Sequence, residues 1–489
     1  MADLVKPAEI FDRDAEWADL AAFAADPTAR PLLGVVSGRR RQGKTFLLGA
    51  LSEATGGIYV EATEATPAES LRRVGAAVAA HLDAPAPIQF SSWETAVGGL
   101  LDLAVTVPTP VVIDEFPYLA KASPELPSVL QAALDTRRRQ GGQPVRLLLC
   151  GSAMTFMGRL LSGSAPLRGR AGLELVVPTL NYRLAADFWN ITDPRLAVLT
   201  HAIVGGTPAY RREYVRDDAP RSRTDFDSWV VRTVLNPASP LFREGRYLLA
   251  EEPDLRDPAL YHSVLAAIAE GNASRGGIAG YVGRKATEVS HPLAVLEDVG
   301  LIEREPDALR AARPVYRIAE PLITFYHTIM RPSWRDLERR RGAQVWRRSR
   351  ERFFSGVVGP HFEQICRTWA TEFADPEIFG DFPADIGHGV INDPQHQTSH
   401  EIDVVVLGPQ DGTPRRVLSL GEVKWGETMG VGHLERLARV RDLLAARGYD
   451  TRTTLLTCYS ATGFTDDLIA AARRGEALLI NLDRLYGGN

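Results

Sequence analysis

Residues 38 to 45 read GRRRQGKT, which matches the pattern G-x-x-x-x-G-K-T. Glycines let the backbone N–H groups of such a loop curve around phosphate oxygens, and the N-terminus of a following helix adds its positive dipole end. Lys44 is expected to reach the β- and γ-phosphates of a nucleotide, and the Thr45 hydroxyl is expected to bind Mg²⁺. The residues predicted to contact the nucleotide along this stretch are Gly38, Arg41, Gln42, Gly43, Lys44, Thr45 and Phe46.

Two acidic residues close an apolar stretch further along the chain, in PTPVVIDEFPYL. Asp114 stands at the carboxyl end of the predicted strand, where its carboxylate can hold Mg²⁺ through water. Glu115, the next residue, is predicted to be a catalytic group that orients or deprotonates the attacking water. The alternative is that this Asp-Glu pair only caps a helix.

Polar residues after the next strand complete this first constellation. The strand VRLLLCGS ends in Ser152, which is predicted to sense the γ-phosphate, and its alternative role is to cap the following helix. Arg168 and Arg170, in PLRGR, are candidates to supply positive charge to the transition state, and Arg170 is predicted to contact the nucleotide. Solvation on the surface of an arginine-rich protein is the alternative for both.

A second constellation lies in LSLGEVKWGE, residues 418 to 427, which contains one of only five lysines in the chain. Residues two apart in a strand face the same side, so Glu422 and Lys424 point together, as Glu401 and Asp403 do in the preceding strand. Buried carboxylates need compensation, which a divalent cation supplies. Asp403 and Glu422 are therefore predicted to bind Mg²⁺ or Mn²⁺, with Lys424 neutralising charge on a phosphate. The alternative is a salt-bridged hairpin.

The elements that must position these residues follow a regular order. Short apolar strands alternate with helices up to about residue 179, which predicts a mainly parallel sheet flanked by helices. Helices and loops follow, and then three helices with a two-stranded hairpin, which is the order of a winged helix-turn-helix. The last part begins with the helix GPHFEQICRTWA and continues as strands and helices.

The composition is that of an ordinary globular protein, with 45% hydrophobic residues, 24% charged residues and a net charge of -5. Any nucleic acid must therefore be met by a local basic patch. Three widely separated cysteines argue against a disulfide framework. The N-terminal residues lack the apolar run of a secretory signal, and no stretch approaches the length of a membrane span. A cytoplasmic location without a membrane partner is the expectation.

The motifs between residues 8 and 330 resemble a known family. FDRDAEWADL near the N-terminus, GRRRQGKT, IDEFPYL, LLLCGS, PLRGR and GGTPAY are similar to archaeal-type P-loop ATPases of the STAND group, relatives of the AAA+ and origin-recognition ATPases. The resemblance implies that Arg13 and Glu16 lie near the adenine pocket, and that Gly206 and Pro208 contact the nucleotide from a helical lid. The family usually has a glycine before its N-terminal arginine, where this chain has Asp12.

The terminal constellation, Asp403 with Glu422-x-Lys424, resembles the PD-(D/E)XK nuclease superfamily. The resemblance implies a restriction-endonuclease-like fold and metal-dependent phosphodiester cleavage, with Glu363 on the preceding helix as an additional catalytic carboxylate. Ile402, rather than the superfamily's proline, precedes Asp403. ATPases of the kind named above often end in such a domain, so the pairing covers the whole chain.

DNA is the predicted partner, through two regions. Residues 287 to 299 are the predicted recognition helix, although winged helices also bind proteins. The segment from 331 to 352 has nine arginines against three acidic residues, with Trp334 and Trp346 interleaved, and its alternative role is a solvated helix that bridges domains. The residues expected near the DNA backbone beside the recognition helix are Arg284, Lys285 and Arg304.

The chain is thus predicted to be an α/β protein with five parts. These are a P-loop ATPase core over 1–180, a helical lid over 181–255, a winged helix over 256–330, a basic linker over 331–352 and a nuclease-like domain over 353–489, in which His388, His396 and His400 are assigned to a polar loop before the first strand. The predicted function is an ATP-binding and ATP-hydrolysing switch coupled to DNA binding and Mg²⁺- or Mn²⁺-dependent cleavage. The alternative is a STAND-type, ATP-dependent regulator that binds DNA or protein and whose terminal domain does not cleave. A homo-oligomer is compatible with both.

Overall fold

A computed structural model describes residues 4–106, 109–141, 144–250, 257–410 and 414–487 of the chain. The chain divides into two compact units, Met1–Thr179 and Leu180–Asn489. The predicted boundary between the helical lid and the winged helix, at residue 255, lies outside the described residues.

The described part of the first unit is built on a five-stranded parallel sheet with the strand order β2-β3-β4-β1-β5. Its strands are β1 Leu32–Ser37, β2 Ile58–Glu61, β3 Pro110–Asp114, β4 Arg146–Gly151 and β5 Ala171–Val176. The sequence pattern predicts the first four strands but not β5. β5 is an edge strand in which exposed and half-buried residues alternate, so it lacks the continuous apolar run of a central strand.

Helices cover both faces of this sheet. They are α1 Asp14–Ala25, α2 Lys44–Thr55, α3 Pro67–His81, α4 Trp93–Thr106, α5 Phe116–Ala122, α6 Leu126–Arg139 and α7 Met154–Leu160. Alternate residues of β3 point to opposite faces: Val111 and Ile113 pack with α3 to α7, whereas Val112 packs with α1 and α2. In the central strands β1, β3 and β4, the polar side chains therefore stand at the strand ends.

The second unit begins with helices and a hairpin. The helices are α8 Tyr182–Phe188, α9 Pro194–Val204, α10 Phe226–Arg232, α11 Pro240–Ala250, α12 Pro258–Ala269, α13 Arg275–Val282 and α14 Ser290–Asp298. The antiparallel strands β6 Ile302–Asp307 and β7 Arg310–Ile318 follow. Three helices and a hairpin thus occur in the predicted order, with α14 in the place of the predicted recognition helix.

The arginine-rich segment is helical and packed against the protein. After α15 Pro321–Phe325 it forms α16 Trp334–Glu338 and α17 Gly342–Phe353. Trp346 is buried in the main apolar core of the second unit, and Trp334 stacks on Phe242 with ring centroids 4.5 Å apart. Both tryptophan rings therefore pack against other apolar side chains of the protein, and they are not available to stack on bases.

A five-stranded mixed sheet ends the described chain, with the order β12-β11-β10-β9-β8. Its strands are β8 Asp385–Asp393, β9 Thr398–Leu407, β10 Val417–Lys424, β11 Leu455–Ser460 and β12 Leu478–Asn481. The pairs β8–β9 and β9–β10 are antiparallel, and the pairs β10–β11 and β11–β12 are parallel. The helices are α18 Gly359–Thr368 before the sheet, α19 Val431–Ala446, α20 Asp466–Arg473 and α21 Leu482–Leu485.

The assignment of three histidines to a polar loop is wrong. His388 lies in β8 and His400 in β9, and His396 alone is in the turn that joins them. The sequence DIGHGVIND lacks a clear apolar alternation because glycines occupy two strand positions, 387 and 389. A Cβ at Gly389 would lie 2.9 Å from Leu309 Cδ1, so the glycine makes room for the tip of the β6–β7 hairpin.

Candidate functional site

The loop before α2 has the backbone shape of an anion cradle. Gly38, Arg41 and Gly43 have φ angles of 146°, 69° and 88°, a conformation that turns successive N–H groups inward. Gly38 is required sterically as well, since a Cβ there would lie 2.5 Å from the Val177 carbonyl oxygen. α2 begins at Lys44, so the loop and the positive end of the helix dipole meet at one place.

Lys44 lies inside this loop. Its Nζ donates hydrogen bonds to the carbonyl oxygens of Gly38, at 2.6 Å, and Arg39, at 2.8 Å. Burial lowers the pKa of Lys44, so the ammonium gains from any negative charge brought to the loop. Gln42 is also buried, whereas Phe46 is 56% exposed on the first turn of α2.

The Thr45 hydroxyl and the Asp114 carboxylate are in direct contact. Thr45 Oγ1 donates to Asp114 Oδ2 over 2.7 Å, and the Tyr59 hydroxyl donates to the same oxygen over 2.6 Å. Asp114 is buried at the end of β3, as its position after an apolar strand predicts. A hydroxyl and a carboxylate are hard oxygen ligands, and they fit Mg²⁺ held beside a phosphate. Tyr59 has no distinguishing signal in the sequence, because a tyrosine in a strand has the pattern of an ordinary core residue.

Glu115 and Ser152 form the next contact at this edge of the sheet. Ser152 Oγ lies 3.1 Å and 3.2 Å from the two carboxylate oxygens of Glu115, and Arg40 Nε donates to Ser152 Oγ over 3.3 Å. Ala153, rather than Ser152, directly precedes the first residue of α7, so capping of that helix does not account for the serine. The Glu115 φ angle of 52° lies in the left-handed region, an unusual conformation that turns this residue out of the strand direction.

Two arginines assigned to the nucleotide have protein partners. Arg170 pairs with both carboxylate oxygens of Asp135, at 3.0 Å and 2.7 Å. Arg13 contacts Glu16 Oε1 at 2.9 Å and donates to the Pro178 carbonyl oxygen at 2.6 Å. These contacts give both arginines a structural role within the first unit, and their contact with nucleotide stays a prediction.

Asp12 stands where the ATPases that the sequence resembles usually have a glycine. Its backbone conformation is one that favours glycine. Its φ angle is 55°, in the left-handed region that glycine adopts without strain and that aspartate tolerates better than most residues.

In the second unit, position 206 has room only for glycine, since a Cβ there would lie 1.8 Å from the Leu180 carbonyl oxygen. Pro208 is half-buried nearby, and its predicted nucleotide contact stays a prediction.

Glu422 and Lys424 meet at the end of β10. Lys424 Nζ lies 2.7 Å from Glu422 Oε1, and Arg436 Nη1 of α19 lies 2.8 Å from the same oxygen. Glu422 is 1% exposed. Contact with Glu422 outweighs the effect of burial and raises the pKa of Lys424. The two cations compensate the charge of a carboxylate that burial would otherwise disfavour.

Asp403 lies beside this group on the neighbouring strand. Its Oδ2 accepts a hydrogen bond from the Val423 backbone N–H over 2.8 Å. Burial, followed by the charge of Glu422, raises the pKa of Asp403 to about 6. Burial and then the charge of Asp403 raise the pKa of Glu363, on α18, to about 7. Acidic groups from α18, β9 and β10 are thus close enough to repel one another, as the sequence predicts.

The fit to a divalent cation rests on two carboxylates. Asp403 and Glu422 supply oxygen ligands, and Mg²⁺ is commonly bound by one or two carboxylates together with water and substrate phosphate. Among the described residues, no group of three or more His, Cys, Asp and Glu side chains is arranged as a metal cage. The donor set therefore fits a cation shared with a substrate better than a permanently bound one.

An open pocket of about 460 Å³ adjoins Glu422 and Lys424. Its other lining residues come from the loop before α19, from that helix and from Thr465 before α20, and they include Thr428, His433 and Arg436. Arg436 could not be predicted from the sequence. A helical arginine has no distinguishing pattern in a chain with this many arginines, and only the distance to Glu422 identifies it.

The chain has sequence similarity to a known protein over part of its length. No family model matches the chain. An uncharacterized protein of Methanocaldococcus jannaschii is 26% identical over 308 residues, which is 62% of this chain and 65% of that protein. The alignment therefore spans less than two thirds of the relative's length.

Solved structures give a second comparison. A Walker-type ATPase of Pyrococcus abyssi has 20% identity and a TM-score of 0.50, with 65% of this chain and 96% of that chain covered. The ORC2 protein of Aeropyrum pernix has 15% identity and a TM-score of 0.44, with 68% and 97% covered. None of the described helices is long and apolar enough to cross a membrane. The parallel sheet, the glycine loop and the likeness to the Pyrococcus ATPase together identify a P-loop NTPase fold.

Proposed function

We propose that this protein is an ATP-binding and ATP-hydrolysing switch that acts on DNA. The observation that carries the ATPase half is the contact between Thr45 and Asp114, beside a loop that holds Lys44. Mg²⁺ would be held by the Thr45 hydroxyl and, through water, by Asp114, and it would neutralise negative charge on the phosphates. Glu115 would orient the attacking water, with Ser152 holding its carboxylate in place.

The proposed action of the second unit is metal-dependent cleavage of phosphodiester bonds. Support comes from Asp403 and Glu422 at one end of the mixed sheet, with Lys424 in contact with Glu422. In this proposal the two carboxylates would hold Mg²⁺ or Mn²⁺, which supplies a Lewis acid and lowers the pKa of a bound water. Lys424 would neutralise charge on the phosphate, and Glu363 would orient or deprotonate the water.

DNA is the proposed substrate because of exposed arginines on α16, on α17 and in the turn between these helices. Trp346 anchors α17 in the core, which leaves the opposite side of the segment to arginines. We use the name basic surface for the exposed arginines of this segment that have no acidic partner within 4.0 Å among the described residues. They are Arg335, Arg339, Arg340, Arg347 and Arg348. Unpaired arginines retain their attraction for phosphates, so this surface suits a nucleic-acid backbone.

A second candidate function is a regulator whose terminal domain binds without cleaving. The observation that favours it is the contact of Glu422 Oε1 with both Lys424 and Arg436. A carboxylate compensated by two cations needs no metal for its burial. In that case the terminal sheet would keep the shape of the proposed nuclease domain and use it only to bind.

One experiment separates these functions. Purified protein is incubated with linear duplex DNA and Mn²⁺, in the presence of ATP, of a non-hydrolysable ATP analogue or of no nucleotide. We expect ATP hydrolysis together with DNA cleavage that depends on ATP. ATP hydrolysis with DNA binding but intact DNA would favour the regulator, and the absence of ATP hydrolysis would reject both.

The basic surface gives a prediction about salt dependence. Replacing Arg347 and Arg348 with alanine should weaken DNA binding and should reduce the slope of log affinity against log salt concentration by about 2, because each lost phosphate contact removes about 1. The matched control replaces Arg350 and Arg352, whose charges are offset by Asp227 and Glu270. Fluorescence anisotropy at several salt concentrations measures both slopes, and equal slopes for the two variants would place the DNA elsewhere.

A further inference from the structure

The β6–β7 hairpin is attached to the edge of the terminal sheet. The Ala308 backbone N–H donates to the His388 carbonyl oxygen over 2.8 Å, and Ala308 and Leu309 pack against the apolar core of that sheet. A Cβ at Gly387 would lie 3.3 Å from the Pro306 carbonyl oxygen, so β8 is shaped to receive the hairpin. The hairpin is therefore fixed relative to the strands that carry the terminal site.

The two carboxylate oxygens of Glu305, in this hairpin, face two different arginines. Its Oε1 accepts from Arg317 Nε over 2.7 Å, and its Oε2 lies 3.7 Å from Arg367 Nη2. Burial raises the pKa of Glu305, but the guanidinium groups of Arg367 and Arg317 outweigh it and hold the pKa below its usual value. Glu305 is thus a half-buried anion whose second oxygen is directed at Arg367 of α18.

Arg367 stands between the hairpin and the acidic groups of the terminal site. Its Nη1 donates to the Asp403 carbonyl oxygen over 2.9 Å, and the same nitrogen is 4.0 Å from Glu363 Oε2. Gln364 accepts from Nε and Nη2 at 3.2 Å and 3.1 Å. Arg367 is buried, with 9% of the residue exposed, and its guanidinium has the Glu305 carboxylate on one side and the Glu363 carboxylate on the other. A change at either carboxylate therefore changes where the guanidinium lies.

We infer that Glu305 restrains Arg367, so that the guanidinium does not close on Glu363 and Asp403, and that the hairpin is therefore part of the terminal site. The inference rests on the metal-binding role proposed above for Asp403 and Glu422. A guanidinium in full contact with these carboxylates competes with a divalent cation for the same oxygens. Arg367 is in this sense a positioning residue, and Glu305 determines where it lies.

The restraint ties the occupation of the terminal site to the hairpin. While Ala308 and Leu309 are packed against β8, Glu305 faces Arg367 and the acidic groups stay available to a cation. A ligand that pulls the hairpin from β8 removes Glu305, and Arg367 then moves toward Glu363. Attachment of the hairpin and metal binding therefore favour each other.

The test measures binding of Mn²⁺ alone to the full-length protein by calorimetry. Asp403→Ala identifies the part of the signal that belongs to the terminal site. Glu305→Gln should weaken that binding by about tenfold, since an opposite charge at this distance shifts the proton affinity of a carboxylate by one unit or more. Glu303→Gln is the matched control, because Glu303 pairs with Arg317 from the same hairpin.

A double variant separates this restraint from a loss of structure. In Glu305→Gln/Arg367→Gln the guanidinium of Arg367 is no longer present to occupy Glu363 and Asp403, so Mn²⁺ affinity should return to that of the wild type or exceed it. Damage to the fold would not be repaired by a second buried substitution. Equal Mn²⁺ affinities for Glu305→Gln and Glu303→Gln, or a double variant as weak as Glu305→Gln, would overturn the inference alone. A wild type whose Mn²⁺ binding is unchanged by Asp403→Ala would overturn the proposed site as well.

Discussion

Replacing Lys44 with alanine should reduce ATP hydrolysis on the order of 10²- to 10³-fold, which is the cost of removing one group that stabilises charge in a transition state. The ammonium lies within the glycine loop, where it is bound only by the carbonyl oxygens of Gly38 and Arg39 among the contacts described. A triphosphate would supply the negative charge that this buried cation lacks. Phosphate release at saturating ATP measures the effect on hydrolysis.

The matched control for this substitution is Lys121→Ala. Lys121 is one of the five lysines and is exposed at the end of α5, so its loss should leave hydrolysis unchanged. The fold of Lys44→Ala should persist, because removing a cation whose pKa is lowered by burial relieves an unfavourable burial. Hydrolysis by Lys44→Ala at the wild-type rate would show that the P-loop is not the ATPase site.

The contacts among the predicted site residues follow from where strands end. Parallel strands present their carboxyl ends at one edge of a sheet, so an Asp at the end of β3 and a Ser after β4 must lie close to the loop after β1. The contacts of Thr45 with Asp114 and of Glu115 with Ser152 are consequences of that rule. The same rule could not reveal Tyr59, because its hydroxyl is placed by the register of β2 against β3.

The terminal site shows a second limit of the sequence. Strand alternation places Glu422 beside Lys424, and the structure has this contact. Arg436 and Arg367 come from helices on either side of the sheet, and their distances depend on how those helices pack. Glu305 comes from a hairpin much earlier in the chain, so no local pattern relates it to Arg367. Contacts between charged groups that are far apart in the sequence therefore cannot be predicted from it, and only the structure reveals them.

Asp403→Asn should abolish metal-dependent DNA cleavage, with a loss of at least about a thousandfold, because a metal ion contributes several kcal/mol of stabilisation to the transition state. Asparagine keeps an oxygen able to accept the hydrogen bond from Val423 N–H, so the local backbone should persist. The lost charge also removes repulsion among buried acidic groups, so the variant should be at least as stable as the wild type. Nicking of supercoiled plasmid in Mn²⁺ measures cleavage, and thermal unfolding measures stability.

Asp442→Asn is the control, since Asp442 is an exposed carboxylate of α19 that pairs with Arg441. Its cleavage should equal that of the wild type. Cleavage lost in Asp403→Asn with ATP hydrolysis retained would assign the two reactions to separate sites, because Asp403 belongs to the second unit and Lys44 to the first. Cleavage that survives in Asp403→Asn would mean that the acidic residues at the end of the mixed sheet do not hold the metal, and the terminal domain would then be a binding module.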